Sequence, residues 1–205
     1  MPEPRSPRDR MVFSAAQLVR RHGVAATGMR DVAAHAEAPR GSLQHYFPGG
    51  KDQLMAEAAE WAGRYAAKRI ARFVAALPEP TPGALFAAIV DQWRDDLRSN
   101  GFDTGCPVAA SVADCASDNP TVRRGAAEAF AGWSAAAAGA LRDMGVPYKR
   151  AEALATLMIS TLEGAILMAR AERDLRPLEI AARELRPLLD GAVASPAGKL
   201  GDHRV

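Results

Sequence analysis

A chain of 205 residues, 48% hydrophobic and 24% charged, has the length for one or two domains and the balance of an ordinary globular protein. Aromatic residues make up only 6% while alanine abounds, a composition that favours helices over strands. The net charge of +2 hides an asymmetry, because eight Arg and Lys residues against five acidic ones fall within residues 1–55. A basic first quarter is a modest signal for a polyanionic partner, and a solvated basic face would give the same count.

No uninterrupted run approaches the roughly 18 apolar residues that span a bilayer, and the first ten residues hold no apolar core of a leader. A cytoplasmic protein with no membrane partner is expected. Cys106 and Cys115 are too few for a disulfide scaffold.

In chain order, residues 1–7 carry three prolines and read as a flexible arm. A first helix is expected over residues 8–22, where Met11, Val12, Ala15, Leu18 and Val19 make one apolar stripe and Gly23 supplies the stop. A second helix starts near Gly28 or Met29, with Thr27 as its cap, and buries Met29, Val32, Ala33 and Ala36. The break at Glu37 and Ala38 leads into a short third helix over residues 39–46, with Pro39 as its first residue. Leu43 and Phe47 turn inward there, leaving Arg40, Gly41, Ser42, Gln44 and His45 outside.

That outward set matches the chemistry of a DNA groove. Gln can bond adenine through two hydrogen bonds, Arg can bond guanine or phosphate, and Ser suits either. Gly41 lets backbone approach a groove wall, while Tyr46 and Lys51 are placed to hold phosphates. Taken singly, each of these residues is equally at home as solvated surface.

As an assembled pattern, residues 8–55 resemble the DNA-binding domain of the TetR family of one-component regulators. The span VAATGMRDVAAHAEAPRGSLQHYFPGGKDQLM carries the resemblance in its turn, its Leu-x-x-Tyr-Phe ending and the Lys that follows. The resemblance implies that Arg40, Gly41, Ser42 and Gln44 face the major groove and that Thr27, His45, Tyr46 and Lys51 hold the DNA backbone. Three positions depart from the family pattern. Glu37 stands where the family places Gly, so a differently shaped turn is expected. Gln44 stands where Tyr is common, which alters base readout more than fold, and Gly28 replaces a polar residue, which weakens the cap of the second helix.

Residues 51–76 read as one long helix with Leu54, Ala58, Trp61, Tyr65, Ile70 and Phe73 along its apolar sides. Prolines at 78–82 break the chain before a fifth helix over residues 82–98, striped by Phe86, Ile89, Val90, Trp93 and Leu97. After a polar loop at residues 99–105, a short helix over residues 107–116 follows. About 900° of helix separates Cys106 from Cys115, so the two thiols face opposite ways. Buried structural thiols are one reading of them and a redox-sensing pair is the other. The string GCPVAA resembles the ligand domain of the LmrA/YxaF-like subgroup of the family.

A seventh helix over residues 121–144 is small-faced at Ala135–Ala138, Gly139 and Ala140, which invites close helix approach. An eighth, residues 148–173, is apolar nearly all round, and such a helix needs burial on two sides. Pro177 stops it. A ninth over residues 178–194 supplies Ile180, Ala181, Leu185, Leu188 and Leu189, and the remaining tail reads as disordered.

The expected fold is therefore all-α, with about nine helices. A three-helix helix-turn-helix DNA-binding domain (residues 1–50) precedes a larger helical ligand-binding and dimerisation domain (residues 51–194) and a tail (residues 195–205). The resemblance implies a homodimer, with Ile159, Ile166, Leu185, Leu188 and Leu189 in its interface, on a near-palindromic double-stranded DNA operator. It further implies a small-molecule effector that releases DNA. Trp61, Tyr65, Phe86, Trp93, Phe130, Trp133, Met158 and Leu162 either line its cavity or fill a core, and Glu163 either anchors the ligand or bonds across the interface. The route from cavity to DNA is expected through the fourth helix and residues 99–106.

Signals for catalysis are absent from the sequence. It holds no Gly-rich phosphate loop, no nucleophile elbow and no metal-spaced cluster, so neither a cofactor nor a metal is expected. His22, His35 and His45 fall in the DNA-binding part and His203 in the tail. The rival to a regulator is a helical interaction protein without sequence-specific DNA binding.

Overall fold

The computed structural model describes residues 6–39, 41–115 and 117–193. Among them the chain forms nine helices and no strand. The expectations for the arm at residues 1–5, for Arg40, and for the tail lie outside the described residues.

Helix α1 (Pro7–His22) opens on Ser6, whose hydroxyl accepts the backbone N–H of Asp9, and closes on Gly23 at φ 79°. It buries Met11, Val12, Ala15 and Val19 against α2 (Met29–His35) and α4 (Gly50–Ala76). Thr27 does not cap α2. Its side chain is buried and its hydroxyl donates to the Gly23 carbonyl at 2.6 Å, tying down the α1–α2 loop. Gly28 takes the cap position, with the Asp31 carboxylate accepting the Gly28 N–H.

The turn after α2 keeps the left-handed geometry despite its residue. Glu37 adopts φ 50°, its N–H donates to the Ala34 carbonyl, and the Ala38 N–H donates to Ala33. These two bonds satisfy carbonyls at the end of α2 in the Schellman arrangement. The expectation of a differently shaped turn is thus corrected: the bonds compel a Glu into a conformation that costs about 1 kcal/mol without glycine's freedom. Glu37→Gly is expected to raise the melting temperature by about 2–4 °C, read by thermal denaturation.

Helix α3 is Ser42–Tyr46, shorter than the sequence suggests. Pro39 lies before it in a turn closed by the Ser42 N–H on the Pro39 carbonyl, so it is not the first helical residue. Leu43 and Phe47 turn inward as expected.

The larger body contains α4, α5 (Pro82–Asn100), α6 (Pro107–Cys115), α7 (Pro120–Asp143), α8 (Tyr148–Glu172) and α9 (Arg176–Asp190). Thr81 and Asn119 cap α5 and α7 with their side chains, each followed by a proline that suits the first turn. Helix α8 ends at Arg173, in the left-handed conformation, and Pro177 sits in the first turn of α9 instead of stopping α8. The main core gathers Leu85, Phe86, Leu97, Leu141, Leu154, Met158, Leu162 and Ile166. Each such side chain contributes about 1.5–3 kcal/mol by leaving water.

Helix α4 joins both halves: Leu54, Met55 and Ala58 complete the core around α1–α3, while Ile70 belongs to the main core. It lies close against α7, where Gly63 meets Ala129 and Gly125 meets Ala56. Further along α7, Ala137 and Ala138 of the expected small-faced stretch are buried in the main core with Ala151 and Ala155 of α8.

By length and composition α8 passes as a membrane span, with a mean hydropathy of 1.4 over its most apolar window, half of which is buried inside the protein. A core helix of this kind meets the same criterion. The reading that no run is apolar enough is corrected to this extent: Thr156, Ser160, Thr161 and Gly164 interrupt the run and lower its hydropathy, but the Leu, Ile, Met and Ala residues around them outweigh that.

Candidate functional site

Two regions gather functional side chains. The first is the outer face of α3 and its flanks. Gly41, Gln44 and His45 are exposed, and a side chain built at Gly41 would meet nothing within 4 Å, so this end of α3 is open to a partner. Ser42 and Tyr46 are half-buried; the Ser42 hydroxyl donates to the Pro39 carbonyl at 2.6 Å, and the His45 ring meets the edge of Tyr46 at 5.0 Å. The Lys51 ammonium donates to the Ala25 carbonyl at 3.2 Å, at the rim of this face. Thr27 is the exception, because its buried, bonded hydroxyl does not reach the surface.

The second region is a cavity of about 660 Å³ between α1, α4, α5, α6 and α7, a size typical of small-molecule sites. Of the aromatic and apolar candidates, Trp61, Tyr65, Trp93 and Trp133 line it. Phe86, Met158 and Leu162 do not: they are buried in the main core. Phe130 stands behind the wall, stacked on Trp133 with ring centroids 6.5 Å apart. Trp61 and Tyr65, one turn apart on α4, stack within 7° of parallel with ring centroids 5.4 Å apart.

Glu163 is not in the cavity wall. Its carboxyl is buried from α8, and neither oxygen has a hydrogen-bond partner among the described residues. Burial holds its pKa up at about 7. Cys106, which does line the cavity, adjoins it, and burial first, then the nearby carboxylate, raise that thiol well above the ordinary cysteine value. A raised thiol is a poor nucleophile. Cys115 packs in the core around α1–α3, apart from Cys106, so the two thiols are not a facing pair. Among the described residues no group of three or more His, Cys, Asp or Glu is arranged to hold a metal.

The charged lining was not legible from hydrophobic periodicity, which treats such residues as solvated. Arg20, Arg69, Asp95 and Asp96 all contribute to the wall. Arg20 belongs to the last turn of α1, yet it forms an ion pair with Asp96 of α5, donates to the Gly105 carbonyl at 3.2 Å and lies over the Trp93 ring. Its own carbonyl accepts the Gly105 N–H at 2.8 Å. Asp114 of α6 accepts the Val24 and Ala25 N–H groups at 2.6 and 3.3 Å. The cavity wall and the α1–α2 region are thus bonded directly, in addition to the continuous α4.

Residues 14–58 match the bacterial regulatory proteins of the tetR family, and residues 82–184 match the C-terminal domain of LmrA/YxaF-like transcriptional regulators. The chain belongs to the TetR family. An HTH-type transcriptional regulator of Mycobacterium tuberculosis is 44% identical to this TetR-family chain over 191 residues, covering 89% of it and 94% of the relative. YxaF of Bacillus subtilis is 28% identical, with 89% and 94% covered, and LmrA of the same organism is 28% identical, with 83% and 90% covered. In fold, a TetR regulator from Legionella pneumophila superposes with a TM-score of 0.74 at 20% identity, over 92% of this chain and all of that one. Escherichia coli NemR in its reduced form gives 0.73 at 20% identity, over 94% and 100%. This protein is a TetR-family transcriptional regulator with the all-helical fold of that family.

Proposed function

We propose that this regulator is a cytoplasmic, non-enzymatic repressor that binds a near-palindromic operator as a homodimer and leaves it when a small apolar or aromatic effector enters the cavity. The single observation that carries the reading is Arg20, which is at once a residue of α1, a part of the cavity wall and the ion-pair partner of Asp96. An effector that displaces this side chain disturbs the seat of the DNA-binding helices. The effector prefers one of two states, and affinity for DNA falls by its preference.

In this reading Gln44, on α3, and Arg40 read bases, Gly41 and Ser42 face the same groove, and His45, Tyr46 and Lys51 hold the DNA backbone. The DNA-binding unit is residues 1–50 and the regulatory unit residues 51–194. Two copies set their α3 helices about one DNA turn apart, near 34 Å.

The dimer surface is reassigned from its expected residues. Ile159, Ile166, Leu185 and Leu189 are buried within their own protomer, and only Leu188 of that set is exposed. The apolar residues left outside are Leu157, Leu167 and Met168 on α8 and Ile180 with Leu188 on α9. Gly164 between them has open space at its Cβ position. An exposed apolar surface carried by two helices supports an isologous interface.

A gel shift with duplexes from upstream of the gene, at two salt concentrations, tests this function. Regulator binding is sequence-selective and weakens steeply with salt. Gln44→Ala is expected to change base preference by about 1–3 kcal/mol at one position, while Lys51→Ala weakens all sequences alike. Equal affinity for all duplexes would instead support an interaction protein without operator recognition.

A further inference from the structure

Along α4, Trp61, Tyr65, Arg69 and Phe73 follow one another at every fourth residue, and all four line the cavity. Spacing of four on a helix places successive side chains about 6 Å apart on one side. The ladder reads aromatic, aromatic, guanidinium, aromatic.

The charges around it are not equally available. Arg20 and Asp96 are engaged with each other, and Asp96 also accepts from the Asn100 amide at 3.3 Å. Asp95 has a side chain 81% exposed, with its charge in water and Arg98 at 3.9 Å. Glu163 stands outside the lining. Arg69 differs from these. One of its terminal nitrogens donates to the Tyr65 hydroxyl at 2.9 Å, its guanidinium lies 5.6 Å from the Tyr65 ring and 5.0 Å from the Phe73 ring, and no carboxylate among the described residues pairs with it. A half-buried guanidinium with only a neutral acceptor has donors left for an anionic oxygen, and its planar fork suits a carboxylate through two parallel bonds.

A ligand cation is disfavoured by the same geometry. The ring faces of Tyr65, Phe73 and Trp93 that would attract it already meet the guanidinium groups of Arg69 and Arg20. The rings of Trp61, Tyr65 and Trp133 give the rest of the wall an aromatic, apolar character.

We infer that the cavity selects planar aromatic ligands bearing an anionic oxygen, a carboxylate or phenolate, with Arg69 receiving the charge and the aromatic wall of Trp61, Tyr65 and Trp133 the rings. This rests on the cavity being the effector site.

Isothermal titration of the full-length protein with three probes tests it: 2-naphthoate, the neutral 2-naphthylmethanol and the cationic 2-naphthylmethylammonium. The expected result is 2-naphthoate bound at least tenfold more tightly than the neutral probe, with the cation weakest. Arg69→Gln should remove that preference while leaving the neutral probe within about twofold, and Arg69→Lys, which keeps the charge but loses the fork, should fall between. Equal or tighter binding of the neutral or cationic probe overturns the ligand class and leaves the effector cavity standing. An unchanged preference in Arg69→Gln overturns the role of Arg69. Failure of all three probes to bind overturns the inference and the reading of the cavity together.

Discussion

Glu163→Gln is expected to stabilise the protein at pH 8 by roughly 3 kcal/mol relative to its effect at pH 5. The Glu163 carboxyl is buried with neither oxygen partnered among the described residues, and its pKa stands near 7. In the unfolded chain it returns to an ordinary value close to 4.5. Between those two values the folded protein keeps a proton that the unfolded chain releases. Stability contributed by the protonated form is therefore present below about pH 4.5 and is lost as pH rises to about 7. A gap of about 2.5 pH units at 1.36 kcal/mol each corresponds to roughly 3 kcal/mol. Glutamine has nearly the same shape and does not titrate, so its variant escapes the loss. Urea unfolding at both pH values, at one fixed protein concentration, measures the difference. The same pH dependence in both proteins would show that Glu163 is already ionised or solvated.

The second large effect is expected at the crossing of α4 and α7. A Cβ at Gly63 would lie 2.5 Å from the Ala129 Cα and 2.6 Å from its Cβ, and both partners are backbone-anchored. Neither helix can yield by rotating a side chain. In an open helix Gly→Ala is favourable by about 1 kcal/mol; here the clash reverses the sign, and Gly63→Ala should cost about 2–3 kcal/mol. Gly132, on α7 with open space at its Cβ position, supplies the contrast. Gly132→Ala should be neutral or stabilising by up to about 1 kcal/mol. Chemical denaturation of the two variants side by side separates helix propensity from packing. Similar unfolding midpoints would mean that the helices separate at little cost.

Particular residues show why some of this was legible in the sequence. Some helix ends with chemical markers came through: Gly23 closes α1 and Pro82 begins α5, whereas Asn119 and Pro120, outside the helix expected from residue 121, cap and open α7. Pro39 misled because a proline that suits a first helical turn equally suits the preceding turn, where it lies. Thr27 carried a capping signature, but it lies one residue before the cap and its hydroxyl donates to the Gly23 carbonyl instead of accepting an N–H of α2.

The periodicity of α8 revealed two apolar sides without telling which one turns inward. Ile159 and Ile166 therefore read as an outer surface that Leu157, Leu167 and Met168 in fact provide. In the cavity, Trp61, Tyr65, Trp93 and Trp133 stood out as large aromatic groups, while Arg20 and Arg69 did not. Their function arises from neighbours brought by other turns and helices: Asp96 and Trp93 for Arg20, Tyr65 and Phe73 for Arg69. One-residue hydropathy carries no trace of that.

The central claim is that cavity and DNA face are coupled through α1 and α4, and thermodynamic linkage tests it most directly. Operator affinity is measured by fluorescence anisotropy with and without saturating 2-naphthoate, and 2-naphthoate affinity is measured with and without saturating operator. The account predicts that each ligand weakens the other by the same factor, about fivefold or more. Tight 2-naphthoate binding in the cavity that leaves operator affinity unchanged would contradict it.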